Sequence, residues 1–207
     1  RLARTSHHLG ARFAPSDMHI NQKNRTIEAA VADILAAIGE DVERPGLLDT
    51  PRRVAEMYRE LFAGLGRDPA DELTVAFEEG HHDMVVLKDI SFYSMCEHHL
   101  IPFFGTANVA YLPNGRVVGL SKIVRALEVL AKRPQLQERL TAQLADALYT
   151  CLNAQGVAVV VKAEHLCMSM RGVRKPGIQV ATSALRGTLC QESSIQREIL
   201  ARLGGIA

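Results

Sequence analysis

Residues 106–120, TANVAYLPNGRVVGL, contain the turn signal on which the predicted fold depends. Asn114 and Gly115 favour the tight turn of a β-hairpin, because both residue types tolerate the positive φ angles that this turn requires. Strand-like runs flank the turn on both sides, at 106–112 and 117–120. The sequence therefore predicts an antiparallel hairpin across this turn.

The rest of the chain repeats this pairing of strands and adds helices in pairs. A strand at 84–95 precedes the turn, and strands at 157–163 and 177–185 predict a second hairpin. Apolar residues at helical spacing predict five helices, which start near residues 27, 50, 121, 136 and 194, with Ser121 as an N-cap. This order predicts the α+β class: an antiparallel four-stranded sheet with a helical pair on one face, preceded by an N-terminal helical pair.

The composition limits the kinds of partner and compartment. The 207 residues are 47% hydrophobic and carry a formal net charge of +1, which favours a soluble globular domain and gives no reason to expect nucleic acid as a partner. No apolar run reaches the roughly 18–20 residues of a membrane helix, so no membrane is expected either. Four cysteines without a signal peptide favour reduced thiols and a cytoplasmic location.

Two short segments combine residues that bind metals. SMCEHHLIPFFG supplies Cys96 and His99, which can converge on one ion in a turn, and EHLCMSMRG supplies His165 and Cys167. Thiolate and imidazole are the ligands that Zn²⁺ prefers. Three protein ligands leave a position for water, whereas four close a structural site. Spacing alone does not decide whether His165, Cys167 or both are ligands.

Basic residues near these features predict an anion site. Ser121, Lys122 and Arg125 lie at the start of a predicted helix, where free backbone N–H groups favour anions. Arg171 follows the second metal-binding segment. The spacing of a P-loop is absent, and an ordinary capped surface helix is the alternative interpretation. Together the basic residues suit a polyphosphate close to a metal.

Four motifs in order, SMCEHHLIPFFG, GLSKIVR, QERLT and EHLCMSMRGVRKPG, resemble those of the GTP cyclohydrolase I family. The resemblance covers roughly residues 26–203, nearly all of the chain outside its first residues. It implies zinc-dependent hydrolysis and ring rearrangement of GTP to 7,8-dihydroneopterin triphosphate and formate. That reaction is the first step of folate and pterin biosynthesis.

The resemblance also implies a role for each matching residue. It implies that zinc is held by Cys96, His99 and Cys167. It implies that catalysis involves two proton-transfer histidines and a serine, namely His98, His165 and Ser121. It implies that the substrate is bound by Glu138, Gln137, Ser121, Lys122, Arg125 and Arg171. Glu138 would read guanine, because its two oxygens can accept from N1–H and from the N2 amino group.

Fold and assembly are further expectations from the resemblance. It implies the tunnelling fold and a homodecamer of two stacked pentamers with active sites at subunit boundaries. Arg52 and Arg53 would then face a neighbour's triphosphate or, alternatively, carry solvated helix charges. The expected domains are a flexible tail at 1–23, an N-terminal helical region at 24–80 and a tunnelling-fold catalytic domain at 81–207.

Two other functions are compatible with these residues. A nucleotide-binding assembly protein could use a closed zinc site as a structural element and lack turnover. Another pterin or purine enzyme of the same fold is the second alternative. A pyruvoyl-tetrahydropterin synthase, for example, would use three zinc histidines, where this chain offers Cys–His–Cys. Formation of a pterin from GTP separates these possibilities.

Overall fold

The computed structural model describes residues 26–74, 76–191 and 193–204. The predicted tail at 1–23 lies outside the described residues. Contacts between Cα atoms divide the chain into two units, Arg1–Tyr58 and Arg59–Ala207. None of the helices within the described ranges has both the length and the hydropathy that a membrane crossing needs.

Two helices precede the first strand, as the sequence predicts. Helix α1 spans Ile27–Ala37, and Thr26 caps it by accepting a hydrogen bond from the backbone N–H of Ala29. Helix α2 spans Thr50–Leu61, with Pro51 in its first turn, where the missing N–H of proline costs no helical hydrogen bond.

The main sheet has five strands in the order β5-β2-β3-β6-β7. Its four long strands are β2 (Val85–Cys96), β3 (Pro102–Leu112), β6 (Gly156–His165) and β7 (Gln179–Gly187). These pair antiparallel, and the two-residue strand β5 (Pro134–Gln135) adds parallel to the end of β2. The α+β class with an antiparallel four-stranded sheet is therefore confirmed.

The hairpin predicted across Asn114 and Gly115 is wrong in its pairing. Strand β4 (Gly115–Val118) follows the turn but pairs with β1 (Ala76–His81) in a separate two-stranded sheet. A strand has only two edges, and those of β3 are occupied by β2 and β6 along nearly its whole length. The turn therefore redirects the chain out of the main sheet.

Two helices cover one face of the main sheet. Helix α3 spans Leu120–Ala131 and helix α4 spans Gln137–Leu152. Their leucines pack in one buried cluster with alternate valines of β6, and burial of each such side chain contributes about 1.5–3 kcal/mol. The cluster includes Leu127, Leu130, Leu140, Leu144, Leu148, Val157, Val159 and Val161.

The other face of β6 is also buried, which explains its unbroken apolar run. Val160 and Ala158 pack with Ile199 and Leu203, at the end of the last helix, α6 (Ser193–Arg202). A strand that is covered on both faces needs no alternation of apolar and polar residues. The terminal helix near residue 194 is confirmed.

Candidate metal centre and active site

The turn between β2 and β3 carries the first metal-binding motif. Cys96 ends β2, and its N–H donates to the carbonyl of Ile101 (3.0 Å). The carbonyl of Cys96 accepts from the N–H of Leu100 (2.8 Å), and Leu100 has a φ of +50°. A leucine rarely adopts this left-handed conformation, so these hydrogen bonds hold a tight and unusual turn. The turn places the side chains of Cys96 and His99 close together.

The second motif reaches the same end of the sheet because β6 lies beside β3. His165 ends β6 in register with Phe103, which is the second residue of β3. The short helix α5 (Leu166–Ser169) follows at once and carries Cys167. Both motifs therefore meet at one end of two neighbouring strands, although 71 positions separate Cys96 from Cys167 in the sequence.

The ligand atoms of Cys96, His99 and Cys167 all lie within 4.8 Å of one another. Cys96 is buried and His99 is exposed, so the group opens to solvent on one side. Metal–ligand bonds of about 2.0–2.3 Å place tetrahedral ligands roughly 3–4 Å apart, which small side-chain movements can achieve here. The three residues fit a divalent metal that prefers sulfur and nitrogen.

Ionisation of the Cys167 thiol is disfavoured by its surroundings in the protein. Burial raises the pKa of Cys167, and the neighbouring Cys96 raises it further, while the positive charge of Arg171 opposes both effects. The guanidinium Nη1 of Arg171 lies 3.4 Å from Nε2 of His99. A bound metal ion would stabilise both thiolates, which is the form in which cysteine ligates.

His98 and His165 lie outside this three-residue group. The Nδ1 atom of His98 is 3.9 Å from Sγ of Cys96, but His98 does not join the set of mutually close ligand atoms. The Nε2 atom of His165 lies 2.8 Å from Oε1 of Gln137. Burial lowers the pKa of His165, and the nearby carboxylate of Glu138 partly opposes that shift. The described residues thus form a three-ligand group, not a closed site with His165.

An ion pair that the sequence did not reveal joins the metal-binding turn to α4. Arg139 donates to both oxygens of Glu97, with N–O distances of 2.5 and 3.2 Å. This hydrogen bonding lowers the pKa of Glu97. The N–H of Glu97 also donates to the carbonyl of Gln135 (3.1 Å). QERLT contains the arginine, but its partner lies 42 residues away, so spacing gave no signal.

Of the predicted anion-binding residues of α3, Ser121 and Lys122 lie in its first turn and Arg125 lies midway along it. Gly119, not Ser121, is the N-cap, and no side chain caps the helix, because the helix begins two residues earlier than an N-cap at Ser121 predicts. The far end of α3 meets β2, where Ser94 donates to the carbonyl of Ala131 (2.7 Å). At 1.5 Å per residue, this helix is about 18 Å long. One chain therefore does not bring Ser121 and Lys122 to the metal group.

Some of the remaining predicted residues lie beside the metal group, and others do not. Arg171 lies beside the metal group, and Glu138 is exposed in the first turn of α4. Gln137 is 1% exposed and has its side chain inside the protein. Arg52 and Arg53 form ion pairs with acids of their own helix region, at 2.9 Å to Glu56 and 3.3 Å to Asp49, as solvated helix charges do.

Comparisons with known proteins agree with this geometry. The family model for GTP cyclohydrolase I matches residues 27–204. GTP cyclohydrolase 1 of Streptococcus pyogenes serotype M5 (strain Manfredo) is 58% identical over 182 residues, 87% of this chain and 92% of that protein. GTP cyclohydrolase 1 of Bacillus pumilus (strain SAFR-032) is 57% identical over 175 residues, 84% of this chain and 93% of that protein.

A solved structure, that of the archaeosine synthase QueF-Like in the apo form, is more distant. It is 23% identical, with a TM-score of 0.38, over 50% of this chain and 93% of that chain. The family match, by contrast, includes the sheet, both covering helices and all three residues of the metal group. The chain belongs to the GTP cyclohydrolase I family.

Proposed function

We propose that this chain converts GTP to 7,8-dihydroneopterin triphosphate and formate at a metal held by Cys96, His99 and Cys167. The observation that carries the proposal is the group of one imidazole and two thiols at the end of β2 and β6, in a chain of this family. Three ligands, rather than four, favour a catalytic over a structural metal.

Zinc is the metal that we propose, because its preferred ligands are thiolate and imidazole. When bound by three protein ligands, zinc supplies Lewis-acid activation of water near neutral pH. The exposed side of His99 leaves room for substrate next to the metal. Arg171, which lies beside His99, would neutralise negative charge of the substrate there.

Two histidines would transfer protons beside the metal. His98 is exposed at the edge of the metal group, where its ring can take up or release a proton. Burial favours the neutral form of His165, which is the form that accepts a proton. The two rings lie in different surroundings, which suits a reaction with several proton transfers.

Glu138 would select guanine. Its carboxylate can accept from N1–H and from the N2 amino group of guanine together, and adenine has no such pair of donors. Its electrostatic effect on His165 indicates that the carboxylate lies near the proposed proton-transfer group. Glu138 is exposed in the single chain, so discrimination against ATP is strong only where the assembled site excludes water from the carboxylate and ATP would leave it unpaired.

A second copy of the chain would complete the triphosphate site. Ser121 and Lys122 begin α3, whose opposite end meets β2, yet a bound triphosphate needs cations beside the guanine site. We propose that α3 of one subunit serves the metal group of another in a homodecamer of two stacked pentamers. Within the part of the chain that the structure describes, strand β7 pairs only with β6, so its outer edge is available for joining subunits.

The same proposal includes the domain organisation and the compartment. Residues 81–207 would form the catalytic domain and residues 24–80 a helical region. A cytoplasmic location suits the metal group, since all four cysteines are free and cysteine ligands must stay reduced.

The decisive experiment incubates zinc-loaded protein with GTP and follows both formate and the fluorescent pterin obtained by oxidising the product. We expect equal amounts of both. Pterin without formate would indicate a different reaction. Absence of both, from protein that contains one zinc per chain, would favour the structural-zinc alternative.

A further inference from the structure

We propose that Gln137 is a positioning residue for His165. Its side-chain amide fixes the tautomer of His165 that carries hydrogen on Nε2 and leaves Nδ1 as the proton acceptor. This inference rests on the proposed role of His165 in proton transfer. It also replaces the expectation that Gln137 binds GTP directly.

The orientation of the Gln137 amide follows from its surroundings. Its Nε2 atom lies 3.1 Å from the carbonyl of Val161, 2.9 Å from the carbonyl of Val180 and 3.2 Å from Oγ1 of Thr182. A carbonyl oxygen only accepts, so the NH₂ group and not Oε1 must occupy this position. The Oε1 atom is thereby directed to the opposite side, towards His165.

Two threonines reinforce this orientation. Thr141 Oγ1 donates to the backbone carbonyl of Gln137 (2.7 Å), so its single hydrogen is used. Thr141 must then accept from Thr182, at 2.6 Å. Thr182 in turn has used its hydrogen and can only accept from the amide of Gln137, whose two hydrogens are shared among Thr182 and the two carbonyls. The hydrogen bonds run in one direction around a closed loop, and a flipped amide would break it.

The fixed amide determines which nitrogen of His165 carries hydrogen. Oε1 of Gln137 can only accept, so Nε2 of His165 donates across the 2.8 Å contact. In a neutral imidazole, the other nitrogen then has the free lone pair. Phe103 stacks on the ring at 4.7 Å with an interplanar angle of 2°, which keeps the ring in one plane. The amide and the phenyl ring together fix how His165 presents Nδ1.

The test is ¹⁵N solid-state NMR of the full-length, zinc-loaded chain labelled at histidine, with His165 assigned by its loss in His165→Gln. We expect the wild-type ring to carry hydrogen on Nε2. Hydrogen on Nδ1 in the wild-type protein would overturn the proposal, whatever the activity. The NMR result does not depend on turnover, so failure of the proposed reaction is a separate outcome.

Kinetics of Gln137→Met separates positioning from substrate binding. We expect kcat to fall about 10–100-fold, as for partners that orient other functional histidines, while KM for GTP changes less than about threefold. We also expect mixed tautomers of His165 in this variant. A raised KM with unchanged kcat would show that Gln137 binds GTP and would overturn the proposal.

Two further variants guard against a purely structural explanation. Thr182→Val breaks the loop of hydrogen bonds without removing a contact of His165. We therefore expect a smaller fall in kcat and a smaller fraction of the other His165 tautomer than in Gln137→Met. Asn108→Leu removes another buried amide, whose Nδ2 donates to the carbonyl of Leu203 (2.8 Å) away from the metal group. It should destabilise the fold and leave the tautomer unchanged. A tautomer change in Asn108→Leu, or none in Thr182→Val and Gln137→Met, would contradict positioning by the amide.

Discussion

The two halves of the candidate site are built very differently. At the end of β2 and β6, the metal group is positioned by a tight turn and by strand register, and the buried Gln137 holds the neighbouring His165. At the start of α3, the side chains of Ser121, Lys122 and Arg125 form no hydrogen bond or ion pair with another described residue. One chain thus preorganises its metal group, whereas its side chains at the start of α3 are unengaged, which is the arrangement that the proposed site at a subunit boundary would produce.

The largest effects should come from removing one residue from each half. Cys96→Ala should lose both metal and turnover, because a sulfur ligand of the preorganised half is gone. Lys122→Ala should keep its metal and still lose most turnover, because the triphosphate lacks a cation. Metal content by mass spectrometry and pterin formation measure both effects, with Cys190→Ala, an exposed cysteine outside the group, as control.

Mixing these two inactive variants tests the comparison directly. If each site combines the metal group of one subunit with α3 of another, random 1:1 mixed oligomers regain about one quarter of wild-type activity, since two intact halves meet by chance at that frequency. Subunits must be exchanged by unfolding and refolding together. Verified mixed oligomers without any activity would show that both halves act within one chain.

His98→Ala should separate chemistry from metal binding within the preorganised half. We expect the metal to remain, because His98 lies outside the group of mutually close ligand atoms. Loss of a general acid or base typically lowers the rate about 10²–10⁴-fold. His82→Ala, at an exposed histidine elsewhere, should change nothing. Metal content as low as in Cys96→Ala would show that His98 is a ligand.

Glu138→Gln should weaken selectivity with little change in metal content. The glutamine amide keeps one acceptor oxygen, but its NH₂ group would face a donor of guanine. We therefore expect kcat/KM for GTP to fall about 10–100-fold. Competition between GTP and ATP measures the discrimination. If ATP is excluded as strongly as before, another residue reads the base.

Local patterns in the sequence were sufficient for most of the fold. The four long strands, the hairpin of β6 and β7, the helical pair and the terminal helix follow from local apolar patterns, which depend on neighbouring residues. The pairing at Asn114 and Gly115 was wrong because a turn signal does not report whether the adjoining strand has a free edge. Edge availability depends on β2 and β6, which come from other parts of the chain.

In the candidate site, too, local spacing predicted some residues but not the contacts between residues that are distant in the sequence. Spacing identified Cys96 and His99 but left His165 and Cys167 equivalent. In the structure, Gln137 engages His165, and only Cys167 joins the metal group. That distinction arises from a residue 28 positions before His165, beyond the reach of any local pattern. The family resemblance supplied the residue set, but not the contacts that give each residue its surroundings.

The smallest effect is expected at the ion pair between Glu97 and Arg139, which no pattern revealed. It is exposed, so replacing Arg139 by Gln should leave thermal unfolding nearly unchanged and weaken metal binding by at most about fivefold. The variant Arg202→Gln, which loses a similar exposed pair with Glu198, is the matched control and should keep full metal affinity. Competitive chelation measures the affinity.

A double-mutant cycle decides whether this pair stabilises the preorganised half. If Arg139 acts through Glu97, then Glu97→Gln and Arg139→Gln together should weaken metal binding no more than either change alone. Their effects would share one cause, the loss of the link between the metal-binding turn and α4. Additive effects would instead mean that each side chain acts on the metal separately. In that case the turn owes its preorganisation to its backbone hydrogen bonds and to Leu100, not to the ion pair.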